Sequence, residues 1–331
     1  MYSSLRSFPL KMKYPSSVVL SRPYCVRESG LTPPDWAGGL LGPFALRSAS
    51  PDLGDEAVSL EVALGGGFCL ATVRVRNARQ LDRNAFQQAS AGAYRRLEAI
   101  LREQSLTHPV RLWNHIPGIH DPMGDDQDRY MAFNAGRFEA LAEWFGGPAT
   151  FDTRSVSASG VGHDGDDLVV HCLAAEEPGR AVDNPRQVPP HRYSRRFGPL
   201  PPCFARATTI HPPGGVPLVL VGGTASIVGE ESVHLGDLER QIDETLANLA
   251  VLLNVAAGEP AGVEDRAAVL ARYRELRVYY PDPERLEELR RLLAGAFPGV
   301  EAVEWVRADL CRPELLVEIE GVAELGRIGQ S

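Results

Sequence analysis

The stretch Leu218-Val-Leu-Val-Gly-Gly-Thr-Ala-Ser-Ile-Val-Gly-Glu-Glu-Ser-Val-His-Leu-Gly-Asp237 decides the fold. Leu218 to Val221 is a short apolar run that ends in Gly222-Gly223. That pattern reads as a buried strand whose end comes close to another part of the chain, because glycines leave room for a close backbone approach. Thr224, Ala225 and Ser226 follow, small and partly hydroxyl-bearing. Asp237 is placed to cap a helix carrying Leu238, Ile242, Leu246, Leu249 and Leu252 on one face.

A second stretch, Glu304 to Glu320, pairs with the first in this reading. Leu316, Val317 and Ile319 mark a closing strand over Leu315 to Gly321. Alternation puts Glu318 and Glu320 on one face of it. The expectation is that one of the two is a solvated edge carboxylate and the other a site residue.

Working outward, Val58–Leu64 and Phe68–Val75 read as a hairpin across Gly65-Gly-Gly67. Asp82–Gln104 reads as a helix, Pro109–Ile116 as a strand, Asp128–Phe145 as a helix, and Val156–Val161 and Leu168–Ala174 as strands. The second half repeats that order: a hairpin from Phe204 to Val221, a helix from Leu238, a strand at Leu276–Tyr280, a helix at Pro283–Ala296 and two closing strands. The repeat lies in the pattern of elements and not in residue identity. The predicted class is α+β, two halves with mixed sheets and helices packed on one face. The predicted divisions are an irregular N-terminal arm over 1–55 with one strand at Ser17–Leu20, a first half over 56–175, a connecting loop over 176–202, and a second half over 203–331 carrying the active site.

At 331 residues the chain holds ample core. A net charge of −9 argues against nucleic acid or an anionic membrane as partner, since phosphate binding rests on basic surface. Five scattered cysteines without CxxC spacing argue against a disulfide framework and a zinc site, and the histidines show no metal-ligand spacing. No cofactor or metal is expected. The apolar runs are too short to span a membrane, and residues 1–23 lack the apolar core of a signal peptide, so the cytoplasm is the expected compartment.

The strings Gly222-Gly-Thr-Ala-Ser226, Gly229-Glu-Glu-Ser-Val-His-Leu-Gly-Asp237 and Val317-Glu-Ile-Glu320 resemble the RidA/YjgF-like fold. A fuller match, over about 60–322, is to the chorismatases, relatives of that fold that act on chorismate. It runs through Arg111-Leu-Trp-Asn-His, Arg129-Tyr-Met-Ala-Phe-Asn-Ala-Gly-Arg137, Asn184-Pro-Arg-Gln187, Tyr193 and Phe204-Ala-Arg-Ala207. The resemblance implies cleavage of the enolpyruvyl ether of chorismate with release of pyruvate, giving 3-hydroxybenzoate. It implies Glu318 and Cys311 as catalytic residues, and Arg137, Gln187, Tyr193, Arg206, Thr224 and Ala225 as substrate-binding residues.

From the residues alone, Glu318 reads equally as an exposed edge carboxylate or as an acid in an apolar pocket made by Leu315, Leu316, Val317 and Ile319. The pocket would raise its pKa and suit it to protonate an enol ether. Cys311 reads first as a core residue, with Arg307 and Arg312 able to favour a thiolate. A cysteine seven residues before the glutamate resembles the 3-hydroxybenzoate branch, whereas Ala225 resembles the branch that stops at the dihydroxycyclohexadiene acid. Formation of 4-hydroxybenzoate is a further alternative. Arg137 and Arg206 suit carboxylates, which a planar guanidinium binds in bidentate fashion. Two other classes compete, a non-catalytic small-molecule sensor and a RidA-like imine deaminase. The second would need an arginine fifteen residues before Glu318, where this chain has Val303. Small RidA-like proteins are trimers; a duplicated chain can complete its own site as a monomer, so both states stay open.

Overall fold

The computed structural model describes residues 25–27, 31–43, 46–52 and 55–325. Ahead of the first half lie β1 (Cys25–Arg27) and α1 (Asp35–Leu41). The first half runs β2 (Leu46–Asp52), β3 (Asp55–Gly65), β4 (Phe68–Val75), α2 (Arg83–Glu103), β5 (His108–Pro117), a small hairpin of β6 (Pro122–Gly124) and β7 (Gln127–Asp128), α3 (Arg129–Phe145), α4 (Phe151–Arg154), β8 (Ser157–His163) and β9 (Leu168–Ala175). The second runs β10 (Arg180–Val182), β11 (Ala207–Ile210), β12 (Leu218–Thr224), a small hairpin of β13 (Ile227–Val228) and β14 (Glu231–Ser232), α5 (Leu238–Ala256), α6 (Arg266–Leu270), β15 (Tyr273–Tyr280), α7 (Leu286–Leu293), β16 (Ala302–Arg307) and β17 (Glu318–Glu324).

Each half forms one mixed sheet, ordered β2-β3-β4-β9-β5-β8 and β1-β16-β15-β17-β12-β11-β10. The long helices start where short polar side chains stop the backbone amides from going unpaired. Asp82 accepts from the Ala85 amide, Asp128 from Met131 and Asp237 from Arg240. α2 and α3 bury Phe86, Leu97, Leu101, Phe133 and Leu141 on the outer face of the first sheet, and α5 and α7 do the same for the second. The inner faces of the two sheets meet through Trp113, Leu173, Leu220 and Val322, with Trp36 and Leu41 of α1 closing one side. The architecture is the α+β arrangement of two halves, with helices on one face of each sheet.

Three segments depart from expectation. The arm is not irregular throughout, because β1 pairs parallel to β16, α1 packs on the inner core and β2 extends the first sheet beside β3. The strand expected at Ser17–Leu20 lies outside the described residues. The connecting loop contains β10, which pairs with β11 and buries Val182. The last strand begins at Glu318 and not at Leu315. The Leu315 amide is taken by the Arg312 carbonyl in a turn, and the Leu316 amide by Gln241 Oε1 at 2.8 Å, so neither is free for a ladder.

Candidate active site

β17 lies between β15 and β12, with Glu318 opposite Tyr279 and Ile319 opposite both Val278 and Thr224. Alternation sends Ile319 and Ala323 toward α5 and sends Glu318, Glu320 and Val322 into the space between the sheets. Both glutamates are therefore buried, 4% and 0% exposed, and the expected solvated edge carboxylate does not exist. A central strand has no solvated edge.

The β12–β17 register slips between Val221 and Thr224, at Gly222-Gly223. A Cβ on Gly222 would press on the Ala158 backbone of β8, and one on Gly223 would overlap the Glu318 carboxyl. The two glycines thus let the halves approach and make room for the acid, as the sequence pattern implied.

A cavity of about 200 Å³ opens above Glu318. Both halves line it: Tyr130, Arg137, Ser159 and Gly160 from the first, and Arg206, Gly223, Ala225, Cys311 and Glu318 from the second, with Tyr193 from the connecting segment. The second half alone does not carry it. Burial, reinforced by the charge of Glu320, pushes the Glu318 pKa up to about 8, against the smaller opposing pull of Arg111 and Arg206. At neutral pH Glu318 is a carboxylic acid with a proton to give.

Cys311 lines the same cavity. Burial, with Glu318 next, pushes its thiol up to about 12, while Arg312 and Arg206 pull the other way. The expectation that Arg307 and Arg312 favour a thiolate is overturned. Arg307 pairs with Asp164 and Asp309 instead, and Arg312 lies over the Phe197 ring at 4.1 Å while donating to the Glu230 carbonyl. Burial keeps the sulfur a thiol.

Arg137 and Arg206 are 1% and 4% exposed. Arg137 Nη2 donates to Asn134 Oδ1 at 2.8 Å, and Arg206 Nη2 donates to the Tyr193 hydroxyl at 2.6 Å and to the Val188 carbonyl at 3.4 Å. The Nε of each is buried without a hydrogen-bond partner, and neither guanidinium forms an ion pair with a carboxylate among the described residues. Two unneutralised buried cations beside one cavity call for an anionic ligand, since an unpaired buried charge is costly. Gly136 explains the Asn-Ala-Gly-Arg string. A Cβ there would strike the Gln87 carbonyl, so the glycine lets α3 close on α2 and sets Arg137 in place.

The remaining predicted residues divide. Ala225 and Tyr193 line the cavity. Gln187 and Thr224 are buried behind it: Gln187 Nε2 donates to the Ile227 carbonyl at 3.0 Å, and Thr224 Oγ1 to the Gly222 carbonyl at 3.0 Å. Both fix the backbone around the cavity and do not reach into it. Sequence reasoning missed Tyr130, Ser159 and Phe204 as lining residues. Tyr130 and Phe204 stand inside the quoted strings Arg129–Arg137 and Phe204–Ala207; Ser159, in an ordinary strand, carries no local signal.

The family model described as chorismatase FkbO/Hyg5-like, N-terminal, matches residues 47–174. A chorismatase of Streptomyces rapamycinicus is 33% identical over 247 residues, 74% of this chain and 72% of that protein. A 3-hydroxybenzoate synthase of Streptomyces hygroscopicus is 32% identical over 241 residues, 72% of this chain and 69% of that protein. Among solved structures, a chorismatase crystal structure at 1.08 Å resolution matches with a TM-score of 0.70 and 30% identity, covering 83% of this chain and 79% of the other.

Proposed function

The chain belongs to the chorismatase family, and from that membership we propose that it cleaves the enolpyruvyl ether of chorismate, releases pyruvate and converts the ring to 3-hydroxybenzoate. The observation that carries this reading is a single cavity holding a protonated carboxyl, Glu318, beside two buried guanidiniums that lack acid partners, Arg137 and Arg206. Chorismate is a dicarboxylate with an acid-labile enol ether, and those groups answer both features.

In this mechanism Glu318 delivers its proton to the terminal methylene carbon of the enolpyruvyl group. The ether carbon becomes an oxocarbenium ion, and the adjacent guanidiniums hold the carboxylates in place while it forms. Glu318, now a carboxylate, takes a proton from the water that adds to that carbon. The hemiketal then collapses, its carbon–oxygen bond to the ring breaks with protonation of the ring oxygen, and pyruvate leaves. The ring retains hydroxyls at C3 and C4. Loss of the C4 hydroxyl as water, with the C3 proton, makes it aromatic. One water enters and one leaves, so chorismate divides into pyruvate and 3-hydroxybenzoate without net hydration. Cys311, a thiol beside Glu318, is assigned to this second stage: it gives its proton to the departing hydroxyl, and the C3 proton passes to the thiolate and restores the thiol.

One observation favours a second reading. Ala225 lines the cavity, and an alanine in the Gly-Thr-Ala-Ser segment resembles the branch that stops at the dihydroxycyclohexadiene acid. The relative named 3-hydroxybenzoate synthase supports the aromatic product.

The site draws on both halves of one chain, and α1 closes the inner face at Trp36, which sits 5.5 Å from Trp113. Both features support a monomer. Free thiols at Cys69, Cys172, Cys203 and Cys311 support a reducing compartment, the cytoplasm. Among the described residues no helix is long and apolar enough to cross a membrane. Incubation with chorismate tests the function: pyruvate and 3-hydroxybenzoate appear in equal amounts. Intact chorismate after prolonged incubation overturns the proposal, and pyruvate with the diene acid moves it to the second reading.

A further inference from the structure

Beneath Glu318 lies a buried polar array that the reaction above leaves without a role. Glu320 Oε1 accepts from Trp113 Nε1 at 2.9 Å, and Oε2 accepts from Arg111 Nη2 at 2.6 Å and from the Ser159 hydroxyl. Ser159 Oγ also accepts from Arg111 Nη2 at 2.6 Å and from the Gly223 amide at 2.9 Å. Gly223 is the residue whose missing side chain leaves room for the Glu318 carboxyl.

We propose that Glu320, acting through Ser159, is a positioning residue for Glu318: it holds the Gly223 backbone against the Glu318 carboxyl and sets a fixed negative charge beside it. The inference rests on the reading of Glu318 as the acid. The direction of each hydrogen bond supports it. Trp113 and Arg111 can only donate, so Glu320 accepts on both oxygens, and its ion pair with Arg111 places a negative charge there. Ser159 must give its one proton to Glu320, which leaves its lone pairs to accept from Arg111 and from the Gly223 amide. Ser159 therefore has no proton for Glu318, although both line the same cavity. The two glutamates, on one face of β17, are thus driven to opposite states: Glu320 is neutralised by Arg111, while Glu318 has no ion pair among the described residues and keeps its proton. Two carboxyls in one site with environments that push them apart is a recurring way to hold an acid at neutral pH. The charged or titratable groups that face Glu318 are Glu320 on its own strand, Arg111 on β5, Tyr130 on α3, Arg206 before β11, and Cys311 on the loop before β17.

Variants at Glu320 and Ser159 test this against pyruvate release. Glu320→Gln removes the charge and leaves the Arg111 cation nearby, so the basic limb of kcat/KM moves down by at least about one pH unit. A limb that stays in place in a folded variant overturns the charge role. Should this variant fail to fold with Arg111 unpaired, Ser159→Ala decides, because it keeps the Arg111–Glu320 pair. In Ser159→Ala kcat falls by about tenfold or more while KM changes less than about threefold, as expected for lost positioning. Ser159→Thr, which keeps the hydroxyl, recovers most of it. Wild-type kcat in Ser159→Ala, or a rise in KM alone, overturns the proposal. Glu318→Gln run alongside separates the two failures. If it retains turnover, the acid assignment itself has failed; if it is inactive while the Glu320 and Ser159 variants behave as wild type, only the positioning role has.

Discussion

Raising the pH from 7 to 9 removes the Glu318 proton on which the proposed first step depends, and the structure sets the size of the effect. With the Glu318 pKa at about 8, about nine-tenths of the enzyme carries the acid at pH 7 and about a tenth at pH 9, so the rate of ether cleavage falls about tenfold. An ordinary glutamate, titrating at 4.5, would be only about 0.3% protonated at pH 7, with the rate already falling in that range. The Cys311 thiol, pushed up to about 12, does not titrate in this window and leaves the limb to Glu318. The assay is kcat/KM for pyruvate release at half-unit steps from pH 5 to 10. A flat region through neutrality with a single basic limb near pH 8 supports the reasoning; a rate that falls tenfold per unit from pH 5 upward refutes it. The same proton acts on stability. Folded Glu318 holds it between about pH 4.5 and 8 and the unfolded chain does not, so this contribution is fully present below about pH 4.5 and is lost as the pH rises through about 8.

Other substitutions separate the roles of neighbouring groups. Gly223→Ala drives a methyl into the Glu318 carboxyl and lowers kcat by about 10²-fold, the scale of an ångström misplacement; wild-type kcat in a folded variant contradicts the close approach. Arg206→Ala removes a charge-assisted contact of about 1.5–3 kcal/mol, about 10- to 150-fold in chorismate affinity by calorimetry. Unchanged affinity returns Arg206 to a structural role in holding Tyr193. Cys311→Ala still releases pyruvate but accumulates the dihydroxydiene acid, told apart from 3-hydroxybenzoate by ultraviolet and mass spectra. Identical products from variant and wild type make the cysteine a packing residue.

The elements were legible because local chemistry marks them. Asp82, Asp128 and Asp237 cap helices where the sequence places them, and Gly222-Gly223 marks the close approach at the end of β12. Glu318 stood out by its place between Val317 and Ile319. What was not legible depends on contacts between residues distant in sequence. Nothing near Glu320 announces that Arg111, 209 positions earlier, neutralises it. The thiol state of Cys311 is hidden for a similar reason: Arg307 and Arg312 are neighbours in sequence, but their charges turn to Asp164 and to the Phe197 ring, and burial decides. Gln187 and Thr224 belong to strings shared with the family, and their side chains hold backbone carbonyls behind the cavity, a distinction that a string of letters does not carry.

The central claim is that Glu318 supplies the proton that breaks the enol ether, and Glu318→Gln tests it most directly. The amide fills the same space beside Gly223 but has no acidic proton to deliver. Pyruvate release from chorismate is measured alongside chorismate affinity. The account predicts a fall in kcat of about 10²- to 10⁴-fold with affinity close to wild type. Turnover near the wild-type rate would contradict it.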